Sequence, residues 1–260
     1  MKEIPPSIYF GGAACGVAYF VGVAHAMKKQ WGEDFYKKTL LCGDSVGAII
    51  AFQLACGLTS HQIEMSARNI QRKMRIEPHF FDGQNYWLNQ YLDHVLCTRP
   101  TLYKDLHTKF QCGTTAFFIR HQWHKSWTNN DELGGCIKGS TNIPLYCDHC
   151  SLVEGTEVVD GAYGLCGEQF PHGNDTLFVG ANQTCAEINY DMTFYQLVFP
   201  DNTNEFDFLF KKGHYMFEVW DGNKKEKVHK LPNYIGILFC WIGKAIQFFF
   251  EYVVREIIEK

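Results

Sequence analysis

The chain has 260 residues, 46% hydrophobic and 20% charged, which suits one globular α/β domain with a sizeable core. A formal net charge of -4 and the lack of any basic run argue against nucleic acid as the main partner. The start, Met1-Lys2-Glu3-Ile4-Pro5-Pro6, carries no apolar leader, and the 11 cysteines are odd in number and scattered, so they read as reduced thiols of a cytosolic protein. Aromatics reach 15%, a surplus that fits either a large core or a surface that meets lipid.

In chain order, Ser7-Ile8-Tyr9-Phe10 reads as a strand, followed by the small-residue loop Gly11-Gly12-Ala13-Ala14-Cys15-Gly16. Val17, Phe20, Val21, Ala24 and Met27 then recur at helical spacing. Strand, glycine loop and helix leave backbone N–H groups without partners, an arrangement that cradles anions. The spacing is not that of a dinucleotide fold. Next, Leu40-Leu41-Cys42 reads as a strand that enters Gly43-Asp44-Ser45-Val46-Gly47, and Ala48 to Ala55 reads as a helix. This G-x-S-x-G pattern is a nucleophile elbow, in which the glycines permit a sharp turn that lifts the serine hydroxyl toward a helix N-terminus. Asp44 reads as a solvated turn residue.

Thr59 to Arg75, opened by a capping box of Thr59 and Gln62, and Tyr86 to Cys97 read as helices. Residues 59–109 form a helical insert over the sheet edge, a candidate lid. Between the two helices, His79 to Gly83 reads as an aromatic turn. Phe110 to Arg120 reads as a strand, His121-Gln122-Trp123-His124 as a surface loop, and Asn130-Asp131-Glu132-Leu133 as a capped helix start. A short strand, Glu157-Val158-Val159, leads to the turn Asp160-Gly161-Ala162. Further strands are predicted at Thr176–Ala181, Phe194–Phe199 and Tyr215–Trp220, and a last helix from Tyr234 to Ile258. Cys147-Asp148-His149-Cys150 has metal-ligand spacing without a second matching pair, so it reads as ordinary thiols; no metal or cofactor is expected.

Three stretches in this order, Gly11-Gly12-Ala13-Ala14-Cys15-Gly16, Gly43-Asp44-Ser45-Val46-Gly47 and Asp160-Gly161-Ala162, resemble the patatin-like phospholipase family. Within it, the chain is most similar to the animal triacylglycerol-lipase branch. Ala13 stands where the family usually has a third glycine, and Cys15 where many members carry Arg or Lys. An alanine there is strained if the position needs positive φ. The resemblance spans about residues 7–182 as a catalytic domain, followed by strands over 183–233 that complete or flank the core and an amphipathic apolar helix over 234–260.

The resemblance implies a three-layer α/β/α fold with a mostly parallel central sheet, and a lipid acyl hydrolase working through a Ser45–Asp160 dyad. Gly11, Gly12, Ala13 and Ala14 would form the oxyanion loop, with backbone N–H groups of Gly12 and Ala13 as donors and Ala14 beside them. The expected substrate is a glycerolipid, phospholipid or triacylglycerol, at a membrane or lipid-droplet surface. The expected place is the cytoplasm, with peripheral attachment to either surface. A Ser-His-Asp triad stays open, because His172, His214 and His229 follow Asp160. A reading from another class also stays open: a lipid-binding or regulatory protein that keeps the fold but turns over poorly. For the last helix, packing on the core, lying in a lipid surface and spanning it are three readings.

Overall fold

The computed structural model describes residues 2–77, 86–116, 120–143, 151–163, 166–167, 173–183 and 185–223. It is α/β with a mixed central sheet. The nine strands among the described residues are β1 (Ser7–Phe10), β2 (Leu40–Asp44), β3 (Phe110–Ala116), β4 (Arg120–His124), β5 (Ser151–Val153), β6 (Thr156–Asp160), β7 (Cys166–Gly167), β8 (Thr176–Ala181) and β9 (Ile188–Tyr190). The helices are α1 (Val17–Trp31), α2 (Val46–Ala55), α3 (Ser60–Ile76), α4 (Tyr86–Thr98), α5 (Leu102–Leu106), α6 (Asn130–Ser140), α7 (Phe194–Val198) and α8 (Thr203–Val219).

The main path of the sheet runs β5-β6-β3-β2-β1-β8-β9. β3, β2, β1, β8 and β9 run parallel to one another along this path, whereas β6 pairs antiparallel with β3 and β5, and β4 forms an antiparallel pair with β3. The chain leaves β1 toward β2 on one side, and β8 returns on the other. Such a reversal of strand order opens a crevice at the carboxyl ends of the strands.

β3 determines where the site lies. Its residues 112–116 pair with β4, so β2 and β6 must share the opposite edge. β2 ends there with Asp44 opposite Gly113, and β6 ends with Asp160 opposite Thr114. The two strands therefore meet end to end, at consecutive β3 residues. Side chains alternate along β3, so Asp44 and Asp160 point to opposite faces.

One face carries the large core. Ile8, Phe10, Leu41, Phe110, Leu177 and Val179 pack there against residues of α1, α2, α3, α6 and α8. The other face carries a small cluster of Tyr9, Cys42, Trp123, Phe178 and Ala186, to which none of the described helices contributes. No helix among the described residues is long and apolar enough to cross a membrane.

Several expectations are met. α1 buries Val17, Phe20, Val21, Ala24 and Met27; α3 opens on the Thr59–Gln62 capping box; β8 spans Thr176–Ala181; and α3, α4 and α5 all fall within residues 59–109. Others are corrected. Phe194–Phe199 and Tyr215–Trp220 are not strands. α7 occupies the first, and the second is the end of α8, so residues 183–233 hold one short strand and two helices among those described. Capping boxes at Thr193–Gln196 and Asn202–Glu205 start both helices, and this local signal outweighs the strand propensity of the aromatics. His121-Gln122-Trp123-His124 is strand β4 rather than a loop. The helix over 234–260, the aromatic turn His79 to Gly83, and Cys147, His149 and Cys150 lie outside the described residues.

Candidate active site

Ser45 sits at the end of β2, at the N-cap position of α2, with φ 55 and ψ -137. An L-residue reaches this region only under strain, and here the turn from strand to helix imposes it. The flanking glycines are there for space. A Cβ on Gly47 would strike the carbonyl oxygens of Phe10 and Gly11, and one on Gly43 would strike the backbone of Gly47 and Ala48. β2, α2 and β1 can close on one another only with hydrogen at both positions. Ser45 is 4% exposed and faces the helical side of the sheet, where Val17, Val46, Ile49, Ala67, Ile70 and Leu88 help line an apolar cavity of about 80 Å³.

Asp160 is 1% exposed. It shares the facing of Val158, which packs into the large core, so its carboxyl is on Ser45's side. Its Oδ1 accepts from the Ala162 N–H at 2.8 Å, which turns the chain back toward the elbow. Gly12 lies between the two motifs. A Cβ built on it would be 2.9 Å from the Ala162 Cβ, 3.2 Å from the Ser45 Cβ and 3.7 Å from the Ser45 Oγ. The three stretches singled out in the sequence thus converge around one backbone position. Gly161 is fixed from below: a Cβ there would be 2.5 Å from the Gly113 carbonyl oxygen and 2.8 Å from Asp44 Oδ1.

The glycine loop differs in detail from expectation. The Gly11 N–H donates to the Val179 carbonyl at 2.9 Å, extending the sheet ladder, so Gly11 has no free N–H donor. The N–H groups of Gly12, Ala13 and Ala14 donate to no protein group among the described residues. Cys15 and Gly16 are tied back, to the Leu197 and Ala13 carbonyls. The left-handed residue is Ala14, at φ 44, and not Ala13. An alanine at the third glycine position is therefore tolerated without positive φ.

Two residues of the site were not singled out from the sequence. The Ser45 N–H donates to Ser140 Oγ at 2.9 Å, and the Asp160 N–H donates to the Asn142 carbonyl at 2.9 Å. The last residue of α6 and the turn just after it therefore hold the nucleophile candidate and the candidate base, from positions two residues apart. A lone serine at a helix end carries no sequence signal of such a role.

Asp44 is not solvated. It is 0% exposed and lies on the other face, where His121 Nε2 is 2.9 Å from Oδ1 and the Tyr9 hydroxyl donates to Oδ2. Burial first, and then the Asp44 charge, hold the Tyr9 phenol well above its usual pKa, so it stays protonated and donates. His214, one candidate for a triad, pairs through Nδ1 with Glu218 at 3.3 Å and lies edge-on to His25 of α1. His172 and His229 lie outside the described residues. No group of three or more His, Cys, Asp or Glu side chains among the described residues could hold a metal ion. Compared with known proteins, the chain matches no family model and no curated protein.

Proposed function

We propose that the chain is a serine acyl hydrolase of the patatin-like type, three-layered α/β/α, which cleaves carboxylic esters of glycerolipids. The observation that carries this reading is the placement of Gly12 against both Ser45 and Ala162, with the amides of Gly12, Ala13 and Ala14 not engaged elsewhere. In the mechanism, Asp160 takes the hydroxyl proton as Ser45 Oγ attacks the ester carbonyl. The oxyanion forms against the unengaged amides, each of which is worth about 3–4 kcal/mol of barrier. The N-terminus of α2 adds positive potential at the same point. The alcohol leaves with the proton from Asp160. Water, deprotonated by Asp160, then releases the fatty acid from the Ser45 ester. The apolar cavity beside Ser45 receives acyl chain, which favours a lipid ester over a polar one. Acid should abolish turnover, because Asp160 must be ionised to act as base.

The direct test is hydrolysis of a short-chain glycerol ester by wild type and Ser45→Ala. Turnover by the wild type alone is the expected result. A folded wild type with no esterase activity under any lipid condition would favour the lipid-binding reading instead.

A further inference from the structure

A second, larger concavity of about 960 Å³ opens between α3, α4 and the start of α8. Its walls meet those of the Ser45 cavity, since Ile70 and Gln71 line both. Gln71 is a fixed partition. Its Nε2 donates to the Cys15 carbonyl at 2.8 Å, and its Oε1 accepts from the Asp201 N–H at 2.9 Å. α3 supplies cations to this groove. Arg68 is neutralised by Glu64 and Asp207. Arg72 meets the Asn69 side-chain oxygen at 3.3 Å, and Lys73 lies over the Trp87 ring at 4.3 Å. Among the described residues, none of Arg72, Lys73 and Arg75 is ion-paired. In a chain of net charge -4, three cations left without carboxylates around one concavity call for an anion.

We propose that this groove binds the phosphate of a glycerolipid head group with net negative charge, and so makes acidic lipids the preferred ligands of the Ser45 site. The inference rests on the acyl hydrolase reading. Arg72 and Arg75 present planar forks suited to phosphate oxygens, with Lys73 as a point charge on the same helix. The apolar side chains of Met65, Ile76 and Phe206 line the same groove and accompany the glycerol end of a lipid. The scissile ester would lie at the Ile70–Gln71 boundary that the two cavities share, with its carbonyl toward Ser45 and its acyl chain in the Ser45 cavity. Asp201, 6% exposed in the groove wall, has an Oδ2 without a hydrogen-bond partner among the described residues. Burial, with Glu205 adding to it, pushes its carboxyl up to about 7, so near neutrality it does not fully cancel the cations. A choline or ethanolamine head group carries its own cation and forfeits the attraction.

The test uses the full chain as Ser45→Ala, which binds without turnover, titrated calorimetrically with four probes. These are dihexanoyl phosphatidic acid, dihexanoyl phosphatidylcholine, dihexanoylglycerol and inorganic phosphate. Phosphatidic acid should bind about tenfold more tightly than the other three. Arg72→Ala with Arg75→Ala should erase that preference, and the Arg72→Lys, Arg75→Lys pair should keep part of it. Equal affinity for the two phospholipids, or a preference that survives the alanine pair, overturns the inference. Inorganic phosphate binding as tightly as phosphatidic acid overturns the lipid assignment and leaves a free-phosphate site. Fluorophosphonate labelling of the charge variants with Ser45 restored separates the two readings. Labelled protein without head-group preference sinks the groove alone, whereas unlabelled wild type sinks the hydrolase on which it rests.

Discussion

Asp44 and Asp160 end two strands that abut on one edge of β3, yet their carboxyls serve opposite faces of the sheet. On the helical face, Asp160 accompanies a strained serine, unengaged amides and an apolar cavity. On the reverse face, Asp44 accepts from Tyr9 and His121 within a small aromatic cluster. On one face the amides beside the carboxyl stay unengaged, and on the other the carboxyl is satisfied by neighbouring side chains. One step along the backbone, from Asp44 to Ser45, separates a residue expected to matter for folding from one expected to matter for chemistry.

Removing the satisfied carboxyl should have the largest effect on stability. Asp44→Ala strands a buried phenol and a partly buried imidazole, and should cost about 3 kcal/mol in chemical denaturation. An unchanged midpoint would break the contrast between the faces.

Asp201 sharpens the comparison as a buried carboxyl without a partner for its Oδ2 among the described residues. Its pKa rises on folding from 3.8 to about 7, so the native state holds a proton that the unfolded chain has lost. Stability should therefore fall as pH rises through that interval, and the full penalty should be present above pH 7. Asp201→Asn should be more stable than wild type by about 2 kcal/mol at pH 8, and the gain should vanish near pH 4. A gain independent of pH would contradict the assignment.

Ser45→Gly should raise stability by about 1 kcal/mol, because glycine accepts the positive φ that serine tolerates under strain. The same variant should lose all turnover. Ser140→Ala, which removes the acceptor for the Ser45 N–H, should cost about 1 kcal/mol or less. It should lower kcat with little change in KM, because it loosens the elbow and leaves the cavity intact.

Much of the helical face was legible in the sequence. G-x-S-x-G and the Asp160-Gly161-Ala162 turn are local patterns whose steric reasons survive folding, since Gly43, Gly47 and Gly161 have no room for a Cβ. The reverse face was legible only in part. Leu40, Cys42 and Asp44 alternate with Leu41 and Gly43, which would have turned Asp44 inward, but a charge beside a glycine reads first as a turn. His121 and Trp123 alternate with Gln122 and His124 in the same way, yet a run so polar lacks the hydrophobic contrast that marks a strand. At Phe194–Phe199 and Tyr215–Trp220 the aromatic residues have strand propensity, while Thr193–Gln196 and Asn202–Glu205 carried the same capping-box signal that located α3. The Ser140 and Asn142 contacts depend on long-range packing of α6 and have no local signature.

The most direct test of the proposed dyad is covalent. Wild type and Asp160→Asn are treated with a fluorophosphonate, and the adduct is mapped by mass spectrometry of the digested protein. A single phosphonyl group on Ser45, formed at least about a hundredfold more slowly in Asp160→Asn, is the predicted result. An adduct on another serine, or wild-type labelling speed without the Asp160 carboxylate, would contradict it.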